Sequence, residues 1–163
     1  MIPVVGFVGY SNSGKTTIVS KLVSILKSRG YRVAAVKHAS HGYDMDMPGK
    51  DSWQHFEAGA DQVVVVGPES FSHHYRGTAK LLDVINVISE VDIILVEGFK
   101  TEPIPKIEII SQDNPGQRIA LGEYLQAVIS TQDPRETVPC FDPDDLYPLA
   151  NFLAERFINK GKK

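Results

Sequence analysis

The sequence predicts an α/β fold, a mostly parallel β-sheet flanked by helices. Three observations carry that expectation. Short apolar runs rich in valine and isoleucine alternate with stretches whose apolar residues recur at helical spacing, the pattern of βαβ units with right-handed crossovers. Several of those runs are continuous, as in strands covered by helices on both faces. Between the first run and the first helical stretch lies Gly9-Tyr10-Ser11-Asn12-Ser13-Gly14-Lys15-Thr16-Thr17. It meets the phosphate-binding P-loop pattern G-x-x-x-x-G-K-[ST] at every fixed position. The expected fold is therefore P-loop NTPase-like, as one nucleotide-binding domain over all 163 residues.

The first strand covers residues 3–8. The loop after it needs glycine at both ends, because Gly9 and Gly14 permit backbone angles and close approaches that a Cβ blocks. Its N–H groups, those of Asn12 and Ser13 among them, then turn inward as an anion nest. A helix over 16–29, with Ile18, Leu22, Ile25 and Leu26 at helical spacing, directs the positive end of its dipole at the same phosphates. Lys15 would reach the β- and γ-phosphates, and the Thr16 hydroxyl would complete a Mg²⁺ coordination sphere.

Gly30 stops that helix, and the continuous run from Val33 to Val36 marks a second strand over 32–37. Residues 38–50 form a polar loop. Asp51 or Ser52 caps a helix over 53–58, which Gly59 ends. Four valines in succession mark 62–66 as a third, buried strand, and 67–78 as a loop holding His73, His74, Tyr75 and Arg76. Residues 79–89 are expected to be helical, with strands following at 93–96, 106–110 and 127–130. The final helix begins near 143–145 and runs to 157, with Leu146, Leu149, Leu153 and Phe157 on a core-packing face.

Composition narrows the function classes. A net charge of −3 gives no reason to expect nucleic acid or anionic membrane as a partner. The single cysteine, Cys140, excludes an intramolecular disulfide and a thiolate metal cluster. No apolar run reaches the length of about 18 residues that a bilayer span requires. The apolar N-terminus runs directly into the P-loop, so signal-peptide cleavage there would destroy the motif. The expected location is the cytoplasm.

Ligands of an open parallel sheet bind beyond the carboxyl ends of its strands. That rule gathers the P-loop, Lys37-His38, Gly67-Pro68, Glu97-Gly98-Phe99-Lys100 and Thr131-Gln132-Asp133 at one edge. Two acids flank the fourth strand, Asp92 and Glu97, roughly 16 Å apart at about 3.3 Å per residue. Only Glu97 lies at the phosphate end, as a Mg²⁺-water ligand or water-positioning acid. Gly98 beside it offers an N–H to the γ-phosphate, and Lys37 offers a further cation. Asp44, Asp46 and Asp51 follow the second strand in a segment that resembles a nucleotide-sensing switch; Asp51, at a helix start, is the best placed for the metal. His38 and His41, with His73 and His74, raise a metal-site reading, against which stands anion binding by Lys37 and His38. The N-K-x-D element that reads guanine is absent. Ser130-Thr131-Gln132-Asp133 faintly resembles a T-K-x-D variant in which Asp133 would accept from guanine N1 and N2; a helix-capping Asp before Pro134 is the alternative.

The P-loop taken together with Lys37-His38-x-x-His41 and Asp46, Gly49-Lys50-Asp51-Ser52, Ala58-Gly59-Ala60, Val96-Glu97-Gly98-Phe99-Lys100, and Val138-Pro139 leading to Asp142 resembles the molybdopterin-guanine dinucleotide biosynthesis protein B (MobB) family, a resemblance that covers nearly the whole chain. The resemblance implies a GTP-binding protein with slow, Mg²⁺-dependent GTPase activity, often a homodimer. It would assist the guanylyltransferase that joins GMP to molybdopterin. It assigns Gly9, Ser13, Gly14, Lys15, Thr16 and Thr17 to phosphate and Mg²⁺, and the Walker B role to Glu97. Two other classes compete. A small-molecule kinase would need an arginine-bearing lid, for which Arg76 is the candidate, and a metallochaperone GTPase would use the histidines.

Overall fold

The computed structural model describes residues 1–40, 42–43, 47–111, 118–120, 122–132 and 137–159. In chain order the strands are β1 (Val4–Val8), β2 (Val33–Lys37), β3 (Gln62–Val66), β4 (Phe71–Tyr75), β5 (Ile93–Glu97), β6 (Lys106–Ile109), β7 (Leu125–Ile129) and β8 (Cys140–Phe141). The helices are α1 (Lys15–Ser28), α2 (Asp51–Glu57), α3 (Leu81–Asn86) and α4 (Tyr147–Leu153), the last continued by a π-helical turn over Ala154–Ile158. The chain divides into two compact units, Met1–His38 with Ile85–Lys163, and Ala39–Val84.

The first unit is built on a six-stranded sheet in the order β2-β5-β1-β6-β7-β8, parallel at every pairing. The chain leaves β1 toward β2 on one side and later returns to β6 on the other, so β1 stands at the topological switch point. Register sets Phe7 of β1 opposite Glu97 and Lys37 of β2 opposite the same Glu97. The carboxyl ends of these strands therefore lie side by side. Val5, Phe7, Val8, Leu95 and Ile107 are wholly buried. Helix α1 packs on β1, β5 and α4, burying Ile18, Val19, Leu22 and Leu26, each worth about 1.5–3 kcal/mol when fully withdrawn from water. Leu146, Leu149 and Leu153 are buried in the same core, with Phe157 packed against it, so the final helix packs as its spacing predicts.

Within the sheet sits a buried carboxylate. Glu108 accepts from Arg118 Nε at 3.0 Å and from the amides of Ile119 at 2.6 Å and Ala120 at 3.3 Å, the full pairing that a buried charge requires. These bonds hold residues 118–120 against β6. At the opposite edge Asp92 accepts from the amide of Arg32 at 2.8 Å and closes the start of β2 onto the start of β5. It is a strand-entry residue, as expected.

The second unit corrects the reading of residues 62–78. Strand β3 is outside the main sheet and pairs antiparallel with β4, Val63 opposite His74 and Val64 opposite His73. The turn closes through the amide of Gly67 donating to Ser70 at 2.8 Å. Val63 is buried, whereas Val64, Val65 and Val66 are 54%, 42% and 77% exposed. A run of valines marks a strand but not its covering, and here helix α2 packs on β3. Residues 67–78 thus hold a strand, not only a loop, and Gly67-Pro68 is a hairpin turn that does not belong to the parallel sheet's edge. The cap of α2 is also corrected: Lys50 is the N-cap, in extended conformation, and Asp51 is the first helical residue.

Candidate functional site

The loop from Gly9 to Gly14 leaves β1 at the switch point and opens α1. Two residues bend it through the left-handed region, Asn12 at φ +60° and Gly14 at φ +82°, the second being the N-cap of α1. Gly9 is required for a different reason. A Cβ there would lie 2.6 Å from Ser13 Oγ and 2.8 Å from the carbonyl oxygen of Ile109, so no side chain fits. The first turn of α1 carries no acid, leaving the positive end of its dipole for an anion.

Lys15 folds back over this loop. Its ammonium donates to the carbonyls of Gly9 at 3.1 Å and Tyr10 at 2.6 Å and to Ser13 Oγ at 3.4 Å. Desolvation lowers its pKa below the ordinary lysine value of 10.5; Lys100 and Lys37 lower it further, and Glu97 opposes them. Such a concentration of ammonium groups suits a polyanion.

The next residue, Thr16, donates its hydroxyl to Glu97 Oε1 at 2.8 Å. The Lys37 ammonium reaches both, 3.5 Å from Thr16 Oγ1 and 3.8 Å from Glu97 Oε1. The structure therefore brings together Gly9, Asn12, Ser13, Gly14, Lys15, Thr16, Thr17, Lys37, Glu97 and Gly98 on three neighbouring strand ends. The role expected for Gly98 changes, because its amide donates to the Phe7 carbonyl at 3.1 Å and is used in the sheet. Its need for glycine is steric: φ is +93°, and a Cβ would fall 2.9 Å from His38 Cβ. The His38 ring stacks on Phe99 at 4.4 Å.

Gly98 and Phe99 both adopt positive φ. The sharp turn they form sends Lys100 over the P-loop, its ammonium 5.6 Å from the Tyr10 ring centroid. Lys100, which the strand-end rule gathers at this edge without a role of its own, is a further cation beside the loop and completes the Val96-Glu97-Gly98-Phe99-Lys100 motif. Asp51 belongs to the second unit, in α2. Asp133, His41, Asp44 and Asp46 lie outside the described residues. Arg76 is engaged by the carbonyls of Phe56 and Ala60 and by the Phe56 ring at 3.8 Å, a structural tie within the second unit. His73 pairs with Gln62 at 2.8 Å, and among the described residues no three His, Cys, Asp or Glu side chains gather as a metal centre. No helix among them is long and apolar enough to cross a membrane.

Known proteins resemble this chain in sequence and in fold. The sequence profile of the family described as Molybdopterin guanine dinucleotide synthesis protein B (MobB) matches residues 4–131. The chain is similar to the molybdopterin-guanine dinucleotide biosynthesis adapter protein of Haemophilus influenzae, 39% identical over 93% of this chain and 88% of that one. It is similar also to the adapter protein of the same name from Escherichia coli, 35% identical over 95% and 93%. Among solved structures, the crystal structure of Bacillus subtilis MobB superposes with a TM-score of 0.75 at 30% identity, covering 96% of this chain and 98% of that one.

Proposed function

The chain belongs to the molybdopterin guanine dinucleotide synthesis protein B family, and on that premise we propose that it is a GTP-binding adapter in molybdopterin guanine dinucleotide synthesis, hydrolysing GTP slowly with Mg²⁺. The nucleotide part of the reading rests on one observation above others: Thr16 Oγ1 and Glu97 Oε1 lie 2.8 Å apart at the foot of the P-loop, with a cation, the Lys37 ammonium, already drawn to both. A hydroxyl and a carboxylate are hard oxygen donors, the kind Mg²⁺ accepts together with phosphate oxygens and water. Bound there, Mg²⁺ would offset charge on the β- and γ-phosphates.

In this reading the protein's own groups bind and orient. Lys15 moves from loop carbonyls to phosphate oxygens, and the remaining loop amides and the first turn at Thr16 and Thr17 face the phosphate chain; the Ser13 amide, expected to turn inward, instead donates to the Tyr10 carbonyl at 3.2 Å and closes the loop. Glu97 holds the metal or positions water, and Lys37 and Lys100 add charge at the rim. The adapter part follows the names of the Haemophilus and Escherichia relatives. Its partner would be the enzyme that joins GMP to molybdopterin, and its location the cytoplasm.

Guanine preference is tested by titrating the protein with GTP and ATP in the presence of Mg²⁺. GTP should bind at least about tenfold more tightly, a difference of roughly 1.4 kcal/mol. Equal affinities would reduce the site to a phosphate cradle without base selection.

A homodimer is the second part of the proposal. Strand β6 is interior to the sheet and Ile107 is wholly buried, so no pairing edge lies there. The hairpin is different: Val66, Phe71 and Tyr75 are 77%, 72% and 60% exposed, and the register of the two strands puts all three on one face, an apolar patch suited to a second copy. Sedimentation should show a dimer that becomes monomeric with Val66→Lys and Phe71→Lys together. A monomeric wild type at tens of micromolar would end this part of the proposal (a stable interface of ordinary size binds well below about 10 μM).

A further inference from the structure

The loop that leaves β5 also walls a second concave surface. A cleft of about 230 Å³ is lined by Lys100, Thr101, Glu102, Lys106, Ala120 and Tyr124 among others. It is below the size of an ordinary drug-sized pocket, roughly 300–1,000 Å³, and suits a small group. Its floor is unusual in chemistry. Lys106 opens β6 and is 4% exposed, yet among the described ion pairs no carboxylate lies within bridging distance of it.

The Lys106 ammonium donates to the carbonyls of Glu102 and Ile104 and lies 5.1 Å from the Tyr124 ring centroid. Two of its three donors are thereby used. Burial lowers its pKa from the usual 10.5, with the Glu102 carboxylate opposing. A buried cation compensated mainly by dipoles is costly, and an anion in the cleft would relieve that cost. Lys100 closes the other side and is shared with the P-loop rim through Tyr10. With Glu102 counted, the lining carries one net positive charge.

We propose that this cleft is a second anion subsite, which takes the phosphate or carboxylate of a small molecule between Lys106 and Lys100, beside the phosphate cradle. Its meaning as the seat of a second substrate rests on the nucleotide reading of the P-loop, whereas binding of the anion does not.

The test is an amide NMR titration of the full chain carrying Lys15→Ala, with inorganic phosphate in one arm and acetate in the other. Saturable shifts at Thr101, Ala120 and Tyr124 are expected, weakened about tenfold by adding Lys100→Gln, an exposed change that leaves the core intact. Lys106→Met should abolish them. Tighter binding of phosphate would assign the cleft to phosphate esters, and tighter binding of acetate to carboxylates. No shifts at these residues in the Lys15→Ala chain, or the same affinity with Lys100→Gln, would overturn the proposal. A parallel GTP titration of the wild type separates the two readings: cleft shifts without GTP binding remove the nucleotide and leave the subsite, and GTP binding without cleft shifts does the reverse.

Discussion

Lys15→Ala is expected to weaken nucleotide binding by orders of magnitude while the protein stays folded. The ammonium is held by the Gly9 and Tyr10 carbonyls and Ser13 Oγ, so it is already positioned inside the loop that phosphates would enter. Two opposite charges 4 Å apart at a partly screened site interact by about 4 kcal/mol. Its loss corresponds to an affinity decrease on the order of 10³-fold. Folding should survive, because the buried face of α1 is Ile18, Val19, Leu22 and Leu26 and Lys15 lies outside it. Calorimetric titration with GTP and Mg²⁺ reads the binding, and a thermal melt checks the fold. Retained affinity within a few-fold of the wild type would mean that the loop amides, Lys37 and Lys100 suffice, and Lys15 would lose its place in the site.

The same lysine gives the binding a pH dependence with a definite sign. In the free protein its pKa lies below 10.5, first by desolvation and then by Lys100, against the opposing pull of Glu97. Phosphate anions favour the protonated form, so the pKa rises on binding and the complex takes up protons between the two values. Affinity is therefore full below the free-state pKa and declines as pH rises through it. The decline begins before an unperturbed lysine would titrate. In Lys15→Arg, whose guanidinium stays protonated over this range, this contribution to the pH slope should vanish.

Local chemistry explains which parts of this molecule were legible. The P-loop, β1 and α1 could be read because glycine positions, a buried strand and a helical face all point to the same answer. Glu97 was separated from Asp92 by strand direction alone, and the structure sets Glu97 2.8 Å from Thr16 while Asp92 binds Arg32 at the opposite edge. The hairpin was misread for an equally physical reason. Four valines report a strand, but burial on two faces and burial on one look alike over five residues. Strand β4 was hidden because Phe71-Ser72-His73-His74-Tyr75 is polar in composition, although its partners in β3 give it register. Strand β8, at two residues, is too short for any period. The sequence places Lys100 at the strand ends and Lys106 at a strand start but gives neither a role, because their significance depends on where a tight turn and a strand start place their side chains. A buried lysine within an apolar strand was nevertheless a signal, since such a charge must be compensated.

Glu97→Gln should separate binding from chemistry. The side chain is 13% exposed, so its charge is poorly screened, and it accepts from Thr16 while attracting Lys37. Glutamine keeps the shape and one acceptor oxygen and removes only the charge. Nucleotide affinity should change by no more than a few-fold, because losing a negative group near a polyanion offsets the weakened hold on the cation. Hydrolysis should slow by about 10²-fold, the lower range for a group that positions or polarises the attacking water. Single-turnover hydrolysis at saturating nucleotide reads the second effect. Repeating it over a range of Mg²⁺ concentrations decides the role. If Glu97 holds the cation, the half-saturating Mg²⁺ concentration rises and excess Mg²⁺ restores much of the rate. If it positions water, the rate stays low at every Mg²⁺ concentration. Unchanged hydrolysis would leave Glu97 as the acid that fixes Thr16 and Lys37, with the work of turnover assigned to other groups at the strand ends.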